Sequence, residues 1–306
     1  MLWDQRGNTS NDYAVWKLFR ENGIKDVPLV EEMHQFSKPE DQFQFTVMSK
    51  AKGVTLESAW PGLSQKEKQG YAQQVTAALR AMRQFTAPFP QRVGGGALYD
   101  GILTQCDKGN NCKKIERTKE EWLNNMAAEL RDGLDRRMDE PDEAAVEAQL
   151  QQLKDNFPDG APYVLTHCDL SFSNIIINNG KIEAIIDWEH AGYYPWWVER
   201  WSSQERGNMR NAGEFWDLVW AELDPELDRI QFHDQISKHV NAVESVWPNA
   251  EISHTQDHDI WLRPAFCNCR PFGGLIQRRF WGAEMKHEIG WKKGKNWLRK
   301  GYNIPG

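Results

Sequence analysis

The segment that most constrains this chain runs from residue 164 to residue 200. It reads VLTHCDLSFSNIIINNGKIEAIIDWEHAGYYPWWVER, with two short apolar runs separated by an Asn-Asn-Gly step. An Asn-Gly step between β-branched runs is the strongest short hairpin signal, because both central residues of a type I′ turn need a positive φ. The sequence therefore predicts a β-hairpin over residues 175–186 that turns at residues 178–180.

Polar residues flank the open end of this predicted hairpin. If the strands pair regularly from the turn, Asn174 lies opposite Ile185, and Asp187 projects two residues beyond it, roughly 7 Å at the rise of a strand. Asp169 comes five residues before Asn174, in the loop that leads into the first strand. Asn174 and Asp187 are therefore expected to share one end of the hairpin, with Asp169 close by.

These residue types, in this order, are typical of phosphoryl transfer. That chemistry needs a carboxylate that accepts the proton of an attacking hydroxyl, and further side chains that hold magnesium on the phosphates. Asp and Asn offer the hard oxygen ligands that Mg²⁺ prefers. The alternative is a surface hairpin with incidental polar ends, since Asp and Asn are common in turns. A metal hydrolase is disfavoured, because its clusters usually carry more than one His.

Two segments resemble the aminoglycoside phosphotransferase family, particularly its fungal members. They are HCDLSFSN at residues 167–174, and IDWE followed by AGYYP at residues 186–195. Upstream, FTVMSKAKGVTLESAW at residues 45–60 is similar to the last N-lobe strand, interlobe hinge and following Gly and Leu of that family. The two catalytic segments are specific, whereas the hinge similarity alone is weak. The resemblance extends over residues 11–205.

The resemblance implies an α+β, protein-kinase-like fold with two lobes. Residues 1–52 would form a shortened N-lobe with a helix, two strands and the hinge, and residues 53–306 a mainly helical C-lobe. It also implies an ATP- and Mg²⁺-dependent phosphotransferase that acts on a hydroxyl of a small molecule.

The resemblance also implies roles for individual residues. Asp169 would be the catalytic base, and His167 a catalytic-loop residue that organises the loop. Asn174 and Asp187 would be magnesium ligands. The nucleotide would lie against the hinge residues Met48, Ser49 and Ala51, with backbone groups of the last two facing the adenine.

The chain departs from the family pattern at its N-terminal end. Kinase-like folds hold ATP partly with a glycine-rich loop and a strand lysine before the first long helix, and this sequence has neither. Its first helical pattern is Asp12–Glu21, and Asn11 or Asp12 stands in place of the usual helix Glu. The glycine triplet Gly94–Gly96 falls after the hinge and is expected to be a plain loop. Three lysines are candidates for the missing cation: Lys17, Lys50 and Lys52. Two residues replace the family's catalytic-loop glycines: Cys168 and Ser173.

Three interpretations of function therefore stay open. The chain is an active phosphotransferase, or a pseudoenzyme or scaffold that binds nucleotide or metabolite without turnover, or part of a protein whose true N-terminus lies upstream. The intact set of Asp169, Asn174 and Asp187 favours the enzyme. The missing loop and lysine favour the pseudoenzyme.

The composition of the chain limits the kinds of partner that it is expected to bind. The net charge of −7 and the pI near 5.7 imply no general affinity for nucleic acid or for an anionic membrane. The sequence shows neither a signal-peptide pattern nor an apolar stretch approaching 18 residues, so a cytoplasmic protein is expected. Its five cysteines suit reduced thiols better than a disulfide framework. The oligomeric state is not predicted.

Helix signals dominate after the hinge. Ser64–Glu67 is a capping box ahead of an apolar face that extends to Phe85, and Thr118–Glu121 repeats the pattern. A third helix is expected from Pro141, and a fourth over residues 213–223. Residues 88–117 are rich in Gly, Asn and Lys and indicate a long surface loop.

The C-terminal region carries less specific signals. Eleven of the fifteen Trp lie from Trp188 onward and are expected to pack the core, with binding of a flat or cationic substrate as the alternative. Four acidic residues are candidates for binding an amine-bearing acceptor: Glu189, Glu199, Glu214 and Asp217. Four residues have side chains suited to a zinc site, with ordinary buried thiols as the alternative: His254, His258, Cys267 and Cys269. The lysines around Trp291 and Trp297 are expected to be a solvated face.

Overall fold

The computed structural model describes residues 2–4, 11–38, 41, 44–103, 113–138, 142–205, 212–247, 260–262 and 292–294. Its strands are β1 (Leu2–Asp4), β2 (Met33–Gln35), β3 (Gln44–Met48), β4 (Val54–Thr55), β5 (Thr86–Ala87), β6 (Gln91–Arg92), β7 (Tyr163–Thr166), β8 (Ile175–Asn178), β9 (Lys181–Ile185), β10 (Gly192–Pro195), β11 (Ile260–Leu262) and β12 (Lys292–Gly294). Its α-helices are α1 (Asn11–Glu21), α2 (Leu56–Ala59), α3 (Gln65–Met82), α4 (Lys119–Asn125), α5 (Ala127–Asp135), α6 (Glu143–Asn156), α7 (Val198–Glu205), α8 (Ala212–Leu223), α9 (Arg229–Phe232) and α10 (Lys238–Val246). Short 3-10 helices cover Trp60–Gly62 and Trp188–His190, and a π-helical turn covers His233–Ser237.

The N-terminal part combines α1 with a small antiparallel sheet of strand order β1-β3-β2. The helix predicted over Asp12–Glu21 is confirmed, with one more residue at its start. Val15 and Phe19 on its inner face are fully buried, and the indole Nε1 of Trp16 donates a hydrogen bond to the Val30 carbonyl oxygen (3.0 Å). Buried apolar area and this hydrogen bond together fix α1 against the rest of the chain.

The predicted hairpin is present as β8 and β9, and it pairs with β4 in a sheet of order β4-β8-β9. Asn179 and Gly180 have φ values of 49° and 77°, the positive angles that a type I′ turn requires. β7 and β10, which come before and after the hairpin in the chain, pair antiparallel with Thr166 opposite Gly192. The loop that leaves β7 and the turn that enters β10 are therefore neighbours.

The predicted register of the hairpin is wrong by one residue at its open end. A β-bulge places one extra residue on β9, so Ile175, and not Asn174, lies opposite Ile185. The carbonyl oxygen of Asn174 instead accepts a hydrogen bond from the Ile186 amide (3.0 Å). The bulge thus brings Asn174 one residue nearer to Asp187 than regular pairing does.

The helices after the hinge follow their capping signals. Ser64 and Glu67 form a complete capping box at the start of α3, as predicted. The Thr118 side chain accepts a hydrogen bond from the Glu121 amide, but the helix ends at Asn125 and a second one follows. The third predicted helix is α6, and the fourth is α8, which starts one residue earlier than expected.

The expectation of a long surface loop over residues 88–117 is wrong in part. Within its described residues, β6 pairs with β10, and Tyr99 forms an isolated bridge with Lys114. Four of its buried apolar side chains belong to one of the two large apolar clusters: Leu98, Ile102, Leu103 and Ile115. In that cluster they pack with residues of α4, α5 and α10.

Tryptophan packs the interior of the C-terminal part, as predicted. Among the described residues from Trp188 onward, six of these side chains are buried among apolar neighbours: Trp188, Trp197, Trp201, Trp216, Trp220 and Trp247. In the described part of the chain no helix is both long enough and apolar enough to cross a membrane. The four candidate zinc ligands, Trp291, Trp297 and most of the surrounding lysines lie outside the described residues.

Gly53 joins the hinge to β4 at a position that excludes other residues. Its φ is 110°, and an added Cβ would lie 2.1 Å from the carbonyl oxygen of Ile177 on β8. This close approach packs the hinge against strand β8 of the hairpin.

We expect Gly53→Ala to lower the free energy of unfolding by about 1–3 kcal/mol or more, because it combines a left-handed non-glycine residue with a backbone clash. Gly70→Ala is the matched control, since Gly70 lies in α3 with open space around it. That control should raise stability by about 0.5–1 kcal/mol. Urea denaturation of both variants measures the difference, and equal stability of Gly53→Ala and the parent chain would contradict the prediction.

Candidate active site

The imidazole of His167 is fully buried at the end of β7. Its Nε2 lies 3.0 Å from the Ile186 carbonyl oxygen, and its Nδ1 accepts a hydrogen bond from the Asp169 amide (3.3 Å). Burial lowers the pKa of His167 to about 4, so the ring is neutral near pH 7, with its proton on Nε2. The ring packs on Trp188 with centroids 4.4 Å apart. His167 therefore ties the loop after β7 to the end of β9.

Glu199 of α7 holds the same loop from the other side. Its carboxylate accepts hydrogen bonds from the amides of His167 (2.5 Å) and Cys168 (3.4 Å). Burial raises the pKa of Glu199 to about 7, while these two hydrogen bonds act in the opposite direction. The expectation that Glu199 binds an amine of the acceptor does not fit this position, because the side chain is buried against the loop backbone.

Asn174 connects the loop to the hairpin. Its side-chain Nδ2 donates to the Asp169 carbonyl oxygen (2.8 Å) and to the Asp169 carboxylate (3.2 Å). The amide nitrogen is therefore used, and among the described residues Oδ1 enters no hydrogen bond. Partial burial of the Asp169 carboxyl raises its pKa; the nearby His190 lowers it and Asp187 raises it further.

Asp187 follows the last residue of the hairpin in a left-handed conformation, with φ 68° and ψ 56°. The backbone bond between Asn174 and Ile186 places it beside Asn174. The structure thus brings Asp169, Asn174 and Asp187 together at one end of the hairpin, as the sequence predicts for the last two. Asn174 and Asp187 provide only oxygen donors, and among the described residues no third His, Cys, Asp or Glu completes a metal cage with them. Two oxygen ligands fit Mg²⁺, which usually keeps several waters and takes its other ligands from phosphates.

Asn11 and Asp12, at the start of α1, are both buried and bind the segment after Asp187. The Asp12 carboxylate accepts a hydrogen bond from the Trp188 amide (2.7 Å), and the side-chain amide of Asn11 donates to carbonyl oxygens of that segment. Burial raises the pKa of Asp12 to about 7, and the charges of Asp187 and Glu189 add to the effect. These two residues therefore bind backbone groups of the segment after Asp187. They do not form the ion pair with a strand lysine that kinase-like folds have at this place.

A pocket opens between α1, the N-terminal sheet and the end of the hairpin. Apolar residues, including Trp16, Met33 and Met48, line it together with Asp12 and Asp187. Among the residues that the structure describes, neither Lys nor Arg lines it. The candidate cation Lys17 is exposed and pairs with Glu21 (3.6 Å), and the two hinge lysines are exposed as well.

The hinge continues from a residue that lines this pocket. Met48 ends β3 and lines it, whereas the Ser49 amide donates to the Glu32 carbonyl oxygen (2.9 Å) on the neighbouring segment. Ala51 packs against Val30 and Met33. In the described part of the chain, the Ser49 carbonyl and the Ala51 amide enter no hydrogen bond, so both stay available to a ligand.

The other acidic candidates for an amine-binding surface are engaged elsewhere. Glu214 accepts a hydrogen bond from Gln65 (3.1 Å), and Asp217 pairs with Arg229 (3.2 Å). Only Glu189, of the four, is an exposed neighbour of the site; its carboxylate lies 3.4 Å from the His190 ring.

Comparison with known proteins places this chain in a family. The phosphotransferase enzyme family model, APH, matches residues 9–233. The chain belongs to that family of phosphotransferase enzymes, and its α+β fold is of the protein-kinase-like type. No curated protein matches the chain significantly.

Solved structures overlap with the chain at low identity. The ternary complex of APH(2″)-IIa with streptomycin and ATP is 14% identical and covers 81% of this chain and 75% of its own, with a TM-score of 0.47. A thermostable APH(4)-Ia mutant with ADP and hygromycin B is 16% identical, covers 81% and 78%, and has a TM-score of 0.46. ADP-bound APH(2″)-Ib is 15% identical, covers 78% and 83%, and has a TM-score of 0.43. At these values, what those enzymes bind does not transfer to this chain.

Sequence reasoning missed the roles of Glu199, Asn11 and His190. Glu199 follows Trp196, Trp197 and Val198 in the sequence, and a carboxylate within such an apolar stretch signals a buried hydrogen-bonding role. Asn11 carried a weaker signal, as a polar residue directly before the predicted helix Asp12–Glu21. The position of His190 beside Asp169 depends on the turn after Asp187, for which the sequence offers no spacing rule.

We expect the contribution of Glu199 to the free energy of unfolding to fall as pH rises from about 4.5 to about 7. The folded chain binds the Glu199 proton more tightly than the unfolded chain, whose Glu pKa is near 4.5. Glu199→Gln keeps an acceptor for both loop amides and removes this dependence. Relative to the parent chain, the variant should gain stability, by up to a few kcal/mol above pH 7.

Urea denaturation of both proteins between pH 4.5 and pH 8 measures that difference. His167 and Asp12 titrate in both proteins and drop out of it, as long as their pKa values are unchanged. Parallel stability curves for the two proteins would show that the Glu199 proton is not linked to folding.

Proposed function

We propose that the protein is an ATP- and Mg²⁺-dependent phosphotransferase that acts on a hydroxyl group of a small molecule. The family match supports the phosphotransferase class. The observation that carries the finer proposal is the shared end of the hairpin, where Asn174 Oδ1 and the Asp187 carboxylate lie beside the carboxylate of Asp169. Metal ligands and a proton acceptor are the groups that phosphoryl transfer requires of a protein.

The nucleotide would bind between the two lobes, whose boundary we place between residues 52 and 53. The adenine would contact the free carbonyl of Ser49 and the free amide of Ala51, with Met48 behind it. The phosphates would then extend toward Asp187, which lines the same pocket as Met48.

Asn174 and Asp187 would hold magnesium. When bound, the ion neutralises negative charge on the β- and γ-phosphates and lowers the barrier for phosphoryl transfer. Asn174 is suited to this task because Asp169 fixes its amide nitrogen and so orients Oδ1. His167 keeps the end of the hairpin and the loop in register, without contacting substrate.

Asp169 would accept a hydrogen bond from the acceptor hydroxyl. As the hydroxyl oxygen forms a bond to the γ-phosphorus, the bond from that phosphorus to the β-phosphate oxygen breaks, and ADP leaves. The hydroxyl proton passes to Asp169 and then to solvent. The acceptor would enter on the exposed side of Asp169, where Glu189 and His190 also lie, so an acceptor with an amine fits the charge of Glu189.

One observation favours a second function, namely nucleotide binding without turnover. Among the described residues, the pocket offers no lysine or arginine for the phosphates. Two missing charge-assisted contacts of about 1.5–3 kcal/mol each correspond to roughly two to four powers of ten in affinity or rate. Under this alternative the chain binds ATP but releases no ADP.

We expect the parent chain to bind ATP more tightly with Mg²⁺ than with EDTA, and Asp187→Ala to lose this difference. The carboxylate is the charged ligand of the site, so the metal-free affinity should stay nearly the same. Calorimetric titration of ATP, with and without Mg²⁺, measures both values. Asp159→Ala is the control, because Asp159 is exposed and pairs only with Lys119 among the described residues. Retention of the Mg²⁺ effect in Asp187→Ala would remove this residue from the metal site.

We expect Asp169→Asn to lower phosphoryl transfer by about 10²- to 10⁴-fold while nucleotide affinity changes little, because the base acts on the acceptor and not on the phosphates. ADP release is measured with water and with a panel of hydroxyl compounds that includes amino sugars. Asp155→Asn, on the surface of α6, is the control. Near-normal turnover in Asp169→Asn would rule out the proposed base. ATP binding by the parent chain without any ADP release would favour the alternative function.

A further inference from the structure

We propose that Asn11 is a positioning residue for the metal ligand Asp187. The inference rests on the proposed function, because it takes Asp187 to bind magnesium. It adds a role for the first turn of α1: this turn holds the backbone that follows Asp187 and so fixes the direction of its carboxylate.

Three carbonyl oxygens converge on the side-chain amide of Asn11. The distances from its Nδ2 are 2.8 Å to the Trp188 oxygen, 3.3 Å to the Glu189 oxygen and 2.6 Å to the Ala191 oxygen. Asn11 is 1% exposed, so water does not replace these bonds. The Trp188 oxygen also accepts a hydrogen bond from the Ala191 amide (3.0 Å), so Asn11 is not its sole donor. A buried carbonyl group that loses a donor costs about 1–3 kcal/mol, and the buried bonds of Asn11 to the Trp188 and Ala191 oxygens hold the two ends of this turn.

The turn that Asn11 holds begins directly after Asp187. The left-handed conformation of Asp187 costs about 1–2 kcal/mol for a residue other than glycine, so it persists only where its neighbours fix it. On one side, Ile186 is bound by His167 and Asn174. On the other side, the Trp188 amide binds Asp12 and the Trp188 carbonyl binds Asn11.

The chemistry of position 11 is specific for a neutral donor. Its Oδ1 is buried and has no hydrogen-bond partner among the described residues, whereas its Nδ2 makes all three hydrogen bonds. An Asp at this position would bring a negative charge against three carbonyl oxygens, next to the carboxyl groups of Asp12 and Asp187. Asn11→Asp therefore keeps the size of the side chain and reverses its contribution to the turn.

The test measures metal binding directly. We titrate Mn²⁺, as a probe of the magnesium site, into the full chain with ADP and without it, and follow free Mn²⁺ by electron paramagnetic resonance. Loss of a group that orients a metal ligand typically costs 10- to 100-fold in metal affinity, and we expect Asn11→Asp to weaken Mn²⁺ binding in the ADP complex by at least about tenfold. The affinity for ADP in EDTA should change less than about twofold, since Asn11 does not face the nucleotide.

Asn22→Asp is the matched control. Asn22 also donates its side-chain amide to a carbonyl oxygen, that of Leu18 at 2.8 Å, but it is exposed at the far end of α1. It should leave Mn²⁺ affinity unchanged. Asn11→Ala is the second variant, in case Asn11→Asp does not fold. It removes the donor without adding charge, and the same loss of Mn²⁺ affinity is expected in a smaller amount.

The outcomes separate the inference from the proposed function. If the parent chain binds Mn²⁺ no better with ADP than without it, the proposed metal site fails, and the inference fails with it. If the parent chain binds Mn²⁺ and the folded Asn11 variants bind it equally well, only the inference is overturned. Lower thermal stability with unchanged Mn²⁺ affinity would also overturn it, because a merely structural residue behaves in that way.

Discussion

The hydrogen bond between the His167 ring and the Ile186 carbonyl oxygen joins the two segments that carry the site. One segment is the loop after β7, with Asp169, and the other is the end of the hairpin, with Asp187. The His167 ring is buried and neutral near pH 7, so the strength of the bond does not vary near neutral pH. The bond is costly to break, because the ring N–H would stay buried without a partner. The spacing between Asp169 and Asp187 therefore depends on a buried histidine.

Two residues of the site are held in conformations that favour glycine. Cys168 has a φ of 67° and Asp187 a φ of 68°, whereas Ser173, at the second position where the family resemblance implies glycine, has no positive φ. Each left-handed residue costs about 1–2 kcal/mol, which the chain must offset locally. The buried Glu199 binds the amide of Cys168, and the first turn of α1 binds the segment after Asp187. Buried polar groups thus stabilise both left-handed residues, Cys168 and Asp187.

The sequence was most informative where the structure depends on local chemistry. The Asn-Gly turn, the capping box at Ser64 and the amphipathic pattern of α1 depend on neighbours within a few residues, and all three were predicted correctly. The bulge in β9 was not predicted, because it follows from packing across the sheet and not from the turn. The bonds of Asn11 and Glu199 join residues far apart in sequence, so no spacing rule identifies their partners. The buried residues between 98 and 115 were missed because the composition of that segment is typical of a surface loop. Their packing against helices far away in the sequence leaves no local pattern.

The connection between α1 and Asp187, the proposed metal ligand, differs physically from the ion pair of kinase-like folds. There a strand lysine and a helix glutamate join the helix to the phosphate site. Charged groups of that kind are well solvated when they separate, so such a pair opens at modest cost near a cleft. Here Asn11 and Asp12 bind backbone groups that are buried, and separation would leave several of these groups without partners. Outward movement of α1 is therefore opposed by the cost of leaving buried backbone amides and carbonyls without hydrogen-bond partners. The position of Asp187 is accordingly built into the packing of the helix, and it does not depend on a cation in the pocket.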